Sequence, residues 1–453
     1  MARPSRVFAA PAYLFACLIL GGSAQGIWQN MALQLAGLGI IAWAALDRAD
    51  APLALAPKLL LLIAVLAMAV VALQTIPLPA SVWTRLGPRH LIADGFAELG
   101  RNLPPQPLSV TPAESLNSLL GIIPPLALVC AMVRLKAFQP QWLAIALIAG
   151  AMAGTALGAV QVASANPELS PWYLYGETNT GRAVGFFANA DHMASLLVLT
   201  IPFLAAMVAS GRRRSMQRDF AVMAVAAGLL LVVLIGLALN GSLAGYGLAL
   251  PVLAASALII LPPRSRRRFW ILALTALLVA ASVTALETTS IGAGKIGEHA
   301  TSAVRSRSEI LSTTTRAARD FMPAGSGLGS FRSVYPLYER PEQVTSTYVI
   351  HAHNDYAELV LELGFAGIVL ILLFLAWWAA AVWRVWRAAQ SGPFARAAAI
   401  ASAAVLVHSV VDFPLRTAAI AACLGMCLAL LAAGRPEAAI EKGSLRPTRH
   451  VVI

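Results

Sequence analysis

Charge is scarce in this chain. Only 12% of its 453 residues are Asp, Glu, Lys or Arg, about half the share that soluble domains carry. A water-facing surface needs more polar side chains than that, so soluble enzyme folds and nucleic-acid-binding domains are excluded first. Cysteine is scarce too. Cys17, Cys130, Cys423 and Cys427 all fall in apolar stretches, which excludes a disulfide scaffold or a cysteine-based metal site. What is abundant is apolar: 59% of residues, with a mean hydropathy of +0.74. A lipid bilayer is the solvent that tolerates this composition, and a spanning helix needs roughly 20 mainly apolar residues.

Twelve apolar runs meet that description, at about 7–21, 27–46, 56–75, 116–133, 142–163, 191–210, 220–239, 243–261, 270–286, 357–383, 397–412 and 415–433. The expected fold class is an all-α polytopic membrane protein of about 12 transmembrane helices. The first run follows Arg3 and Arg6 as a signal peptide would, but a second run follows at once, and it is read as a helix. The net charge of +12 reports topology, because short cytoplasmic loops accumulate Arg and Lys. With a cytoplasmic N-terminus, basic groups follow every even-numbered run: Arg48 and Lys58, Arg134 and Lys136, Arg212 to Arg214 with Arg218, Arg264 with Arg266 to Arg268, Arg384 and Arg387, and a basic tail after 433. Both termini are then cytoplasmic.

That orientation exposes two long segments on the outer face, 76–115 and 288–356. The first is proline-rich, holds Trp83, Arg85, Arg89 and Arg101, and contains a possible short interfacial helix at 88–100. The second is the most polar part of the chain. Its arginines run against the positive-inside statistics, which makes them candidate anion contacts.

Ionisable residues inside spans are costly and point to function. Here they gather near the outer helix ends. The densest group is HAHNDYAELVLELG at 351–364, with His351, His353, Asn354, Asp355, Tyr356, Glu358 and Glu362. A helix starting near Asp355 would offer its N-terminus to an anion, with the histidines in the loop before it. Catalysis, a structural network and a metal site are all open readings, although no convincing third metal ligand is present. FMPAGSGLGSF at 321–331 reads as a tight turn or as a backbone wall beside a sugar-phosphate head, with Arg332 next to it. RAVGFFANADH at 182–192 brings Arg182, Asp191 and His192. HSVVDFPLR at 408–416 brings His408 and Asp412, four apart on one expected helix face, and Arg416.

These four clusters, in this order, resemble the O-antigen ligase and Wzy-type polysaccharide polymerase superfamily of bacterial inner-membrane glycosyltransferases. The resemblance covers most of the chain and is strongest from about 180 to 416, within a ligase-like region at 180–433 of a single membrane domain, 1–453. It implies a GT-C-like helical fold with a long periplasmic loop before the tenth helix. It also implies a glycan donor on undecaprenyl diphosphate, metal-independent transfer with no cofactor, and O-antigen, capsule or exopolysaccharide biosynthesis. By the same resemblance His353 is the catalytic histidine and Arg182 and Arg307 are matched arginines; the residues around His353 suggest Glu358 or Asp355 as the group that orients it. Arg182, Arg307 and Arg332 hold the diphosphate, and His351, Asn354, Tyr356, His408, Asp412 and Arg416 support the site. Where many members have a Ser-Arg-Gly-like triplet, this chain has NGSLAG at 240–245, with Leu243 at the arginine position. The expected reaction is displacement of the diphosphate by an acceptor hydroxyl, with inversion. A lipid A core acceptor, a growing glycan chain and a protein acceptor all remain open, as does a twelve-span polysaccharide or lipid transporter.

Overall fold

The computed structural model describes residues 4–23, 27–47, 52–135, 139–211, 216–261, 265–288, 295–344, 348–388 and 391–433. The basic run Arg212 to Arg214, Arg264 and the tail from 434 lie outside the described residues. Helices account for nearly all regular structure. They are α1 (Pro4–Leu20), α2 (Trp28–Leu46), α3 (Leu55–Gln74), α4 (Pro112–Arg134, with a turn at 121–122), α5 (Pro140–Val162), α6 (Ala190–Gly211) and α7 (Met216–Asn240). Next come α8 (Leu243–Ile260), α9 (Arg267–Thr288), α10 (Lys295–Asp320), α11 (Asp355–Arg387), α12 (Pro393–His408) and α13 (Ala418–Ala433). Each of the twelve apolar runs lies on one of these helices. Among the described residues, eight helices are long and apolar enough to cross a membrane, and α12, α13 and the apolar part of α1 are shorter. The chain is an all-α polytopic membrane protein.

Two helices form the centre. Helix α6 is buried along most of its length, from Ala190 to Val208, among α5, α7, α8 and α12. Helix α13 is buried from Ala419 to Leu431 and beyond and packs against α4, α12 and α1. Alanine dominates both α12 and α13. Lipid is as apolar as a side chain, so association there depends on close backbone approach, which small residues permit. The peripheral helices expose large apolar groups such as Leu35, Leu62, Leu231 and Leu277, as lipid-facing surfaces do.

The segment 288–356, read from sequence as a loop, contains the 26-residue helix α10. Hydropathy does not reveal this helix, because most of its length is polar. Its buried stripe of Ile310, Thr313, Thr314, Ala317 and Ala318 has helical spacing. The stripe packs with Phe321, Phe331, Val334, Tyr335, Ala352 and Leu361, which fixes α10 against the start of α11. The segment 76–115 also carries structure. A helix forms at His90–Glu98, inside the interval expected for it, and none of its residues is buried.

Arg89 is the anchor of this first segment. It is 2% exposed and donates to the carbonyls of Leu86, Leu108 and Gly325, the last at 2.9 Å. Its guanidinium lies 5.5 Å from the Phe321 ring centroid, and burial pulls its pKa down. Arg89 is therefore committed to the fold. Gln74, at the end of α3, donates to Ala324 O and Glu362 O at 3.2 and 3.0 Å. Together they dock the turn at 321–331 onto α11. The docking requires glycine at two facing positions. Gly325 and Gly364 have φ of +76° and +58°, and a Cβ on either would strike the backbone of the other's segment. Gly364 also interrupts α11 one turn below the site.

Candidate functional site

The site grows from the first turn of α11. Asn354 caps the helix, accepting from Ala357 N at 2.9 Å, while its own amide donates to Val410 O at 2.8 Å. Asp355 N donates to Ser409 O, and Ser409 Oγ donates back to Asp355 Oδ2 at 2.8 Å. Tyr356 Oη donates to Leu406 O at 2.8 Å. These bonds seal the start of α11 to the end of α12. They also occupy the N–H groups of Asp355 and Ala357, two of those at the helix start.

The segment before the helix presents two histidines with different partners. His351 Nδ1 lies 2.9 Å from Glu358 Oε1, and Glu358 Oε2 accepts from Ala352 N at 2.8 Å. His353 stands in the left-handed region, φ +49°, which few non-glycine residues adopt. Its Nδ1 lies 3.1 Å from Asp412 Oδ1. From the sequence, Glu358 or Asp355 is expected to orient His353. In the structure the partner of His353 Nδ1 is Asp412, while Glu358 meets His351 and Asp355 meets Ser409.

Asp412 could reach His353 only because α12 ends early. The expected span ran to 412, with His408 and Asp412 hydrogen-bonded on one helix face. The helix stops at His408, and Pro414 disfavours helical geometry just before it. His408 Nε2 is left 3.9 Å from Asp412 Oδ2, too far for a hydrogen bond. Burial opposes ionisation of Asp412. The bond from His353 and the neighbouring His192 and His408 outweigh it and hold the carboxyl well below the usual range. Phe413 packs between the rings, with centroids 4.4 Å from His351, 4.9 Å from His353 and 5.1 Å from His192.

Arg416, in the turn between α12 and α13, is the cationic counterweight. Its Nη2 is 3.1 Å from both Glu358 Oε1 and Glu362 Oε2, and its Nε is 3.7 Å from Asp355 Oδ1. Burial works against this charge, but Glu358, Glu362 and Asp355 outweigh it and raise its pKa. Arg416 thus ties the turn before α13 to three carboxylates of α11.

The glycine-rich turn faces inward. Gly325 N donates to Phe321 O, Ser326 N to Leu361 O and Gly327 N to Glu362 O. Leu328 N donates to Gln74 Oε1, and Gly329 N to Glu362 Oε1 at 2.9 Å. Five successive N–H groups are thus committed to the protein, which favours the tight-turn reading over a phosphate-facing wall. Arg332 is exposed just after this turn and takes no part in the hydrogen bonds and ion pairs that join the cluster.

The other two arginines flank the 240–245 turn. Asn240 Nδ2 donates to both Ala183 O and Ala190 O, pinning the loop in which Arg182 is exposed. Ser242 caps α8 and donates to Asp191 Oδ1 at 2.5 Å. Asp191 Oδ2 accepts from Arg307 Nη2 at 2.8 Å. Leu243 itself is exposed. An arginine thus reaches this turn from α10, through Asp191.

Residues 227–372 match the family model described as O-Antigen ligase. This supports the O-antigen ligase and Wzy superfamily. The match spans roughly a third of the chain and includes Arg307, Arg332, His353 and the α11 carboxylates, while Asp412 and Arg416 lie beyond it. A comparison with curated proteins found no match. The O-antigen ligase match supports a membrane glycan-handling enzyme of O-antigen-type biosynthesis. Among the described residues, no set of three or more His, Cys, Asp or Glu is arranged to hold a metal ion. His192, the neighbour of Asp191, was seen from sequence as part of a cluster but given no role. The structure sets it 3.7 Å from Asp412, a juxtaposition across 220 residues that local spacing does not encode.

Proposed function

We propose that this protein transfers glycan from an undecaprenyl-diphosphate-linked donor to an acceptor hydroxyl at the periplasmic face of the bacterial inner membrane. The observation that carries the reading is the His353–Asp412 hydrogen bond. A carboxylate accepting at Nδ1 fixes the tautomer and leaves Nε2 with its lone pair. That nitrogen belongs to a ring 28% exposed, where an incoming hydroxyl can meet it.

In the proposed reaction the acceptor oxygen attacks the anomeric carbon and gives its proton to His353 Nε2. The bond to the diphosphate oxygen breaks, and its electron pair leaves with the diphosphate, giving inversion. Asp412 then stabilises the imidazolium. Arg307, held at the 240–245 turn by Asp191, and Arg182 beside the same turn would take the charge on the leaving group, with Arg332 further along the surface. The donor's lipid tail would lie in the bilayer and its polar head among these residues. The basic loops at the opposite helix ends support a cytoplasmic location for that side.

Lipid A core and a growing glycan are both acceptors that this chemistry serves. Purified protein in vesicles, given a lipid-linked glycan and each acceptor in turn, tests both activity and acceptor class. A lipopolysaccharide product assigns ligation and a lengthened lipid-linked chain assigns polymerisation. No product with any acceptor rejects the reading.

A further inference from the structure

The His353–Asp412 hydrogen bond uses only one carboxylate oxygen. The other, Asp412 Oδ2, has no hydrogen-bond partner, although the residue is fully enclosed. Two imidazoles face it. His192 Nε2 lies at 3.7 Å and His408 Nε2 at 3.9 Å, and neither nitrogen has a hydrogen bond. His192 and His408 are 3% and 1% exposed. Buried polar atoms without partners are costly and uncommon. An N–H on each Nε2 aimed at Oδ2 would satisfy all three.

The tautomers allow it. His408 Nδ1 lies 2.7 Å from Ser195 Oγ, whose hydroxyl also has Asp191 O at 3.1 Å; the ring hydrogen is on Nε2 when that hydroxyl donates to Nδ1 and on Nδ1 when it donates to Asp191 O. His192 Nδ1 has no partner that would claim the hydrogen from Nε2. The His192 ring stands edge-on to Phe413, at 5.1 Å and 87°, which keeps Nε2 on the Asp412 side. The present gaps exceed the 2.7–3.2 Å of an N–H···O bond. Catalytic hydrogen bonds are often long in a free enzyme and tighten around the substrate.

We propose that His192, backed by His408, is a positioning residue that donates to Asp412 Oδ2 and so keeps Asp412 an anion turned toward His353. The inference rests on the reading of His353 as the proton acceptor. Proton and electron flow stay as in that reading, and no proton passes to His192. Its role is to hold the carboxylate that neutralises the imidazolium.

The test compares His192→Leu with His192→Gln in the vesicle transfer assay. Loss of the donor is expected to lower kcat about tenfold or more, with KM for the lipid-linked donor within about twofold. Glutamine places an amide N–H near the position of Nε2 and is expected to restore kcat to within about threefold of wild type. In an Asp412→Asn background, His192→Leu is expected to add almost nothing, since the two act as one unit. Wild-type kcat in the leucine variant overturns the proposal, and so does a folded glutamine variant as slow as the leucine one. If the leucine variant does not fold, the glutamine variant decides alone: kcat within about threefold supports the proposal and a tenfold loss overturns it. An inactive His353→Ala beside an unaffected His192→Leu overturns only this inference, whereas an active His353→Ala overturns the reading beneath it.

Discussion

Asp412 Oδ1 lies 3.1 Å from His353 Nδ1, joining the turn after α12 to the loop before α11. The buried carboxylate sets which nitrogen of the histidine stays free. Asp412→Asn keeps the shape but removes the charge and lets the imidazole take the wrong tautomer. A loss of about 100-fold in kcat, with little change in KM, is expected from steady-state transfer measurements.

The same carboxylate gives a pH signature. Its native pKa is held below the ordinary carboxylate value, so the stability it contributes is present above about pH 4 and is lost as pH falls towards the native pKa. Thermal unfolding of the detergent-solubilised protein is expected to show a falling Tm below about pH 4. Asp412→Asn should lack that component, and a variant with an unchanged acid slope would count against the assignment.

Arg416 is expected to matter first for folding. Removing it leaves Asp355, Glu358 and Glu362 buried without a cation, and breaking such a pair costs about 3–5 kcal/mol. Arg416→Leu should therefore lower Tm strongly. Arg416→Lys should recover only part of it, because one ammonium cannot span three carboxylates as a planar guanidinium does. The comparison of the two in a thermal scan is the check.

The docking of the 321–331 turn gives a contrast between glycines. Gly364→Ala is expected to lower stability by about 2 kcal/mol or more, since it combines positive φ with backbone contact. Gly228→Ala, with open space around it and a place in the middle of α7, should be neutral or mildly stabilising. Thermal unfolding of both variants separates the two cases.

Among the arginines, Arg307 is tied to the site through Asp191 and Arg332 is not. Arg307→Ala is expected to raise KM for the lipid-linked donor about tenfold, and Arg332→Ala to change it less. Equal effects from the two would place the diphosphate elsewhere.

Much of this architecture was legible in the sequence because lipid imposes a simple rule, one long apolar run per crossing, and all twelve runs proved helical. The rule fails where its premise does. Helix α10 is polar, and only the spacing of Ile310, Thr314, Ala317 and Ala318 marked it. The clusters around His353, Asp412 and Arg416 were visible as residues, but their pairings were not. Local spacing suggested His408 with Asp412, but the helix ends at His408 and leaves the two 3.9 Å apart. Arg89 and Gln74 looked like ordinary residues of a loop and a helix end, since their partners at 324, 325 and 362 are brought to them only by the fold.

The central claim is that His353 takes the acceptor's proton, and one measurement tests it most directly. Wild type and His353→Ala are reconstituted in vesicles with the lipid-linked glycan and its acceptor, after both are shown to elute alike and unfold at similar temperatures. Transfer should proceed with wild type and fall by about 10²-fold or more in the variant. Undiminished transfer by folded His353→Ala would contradict the account.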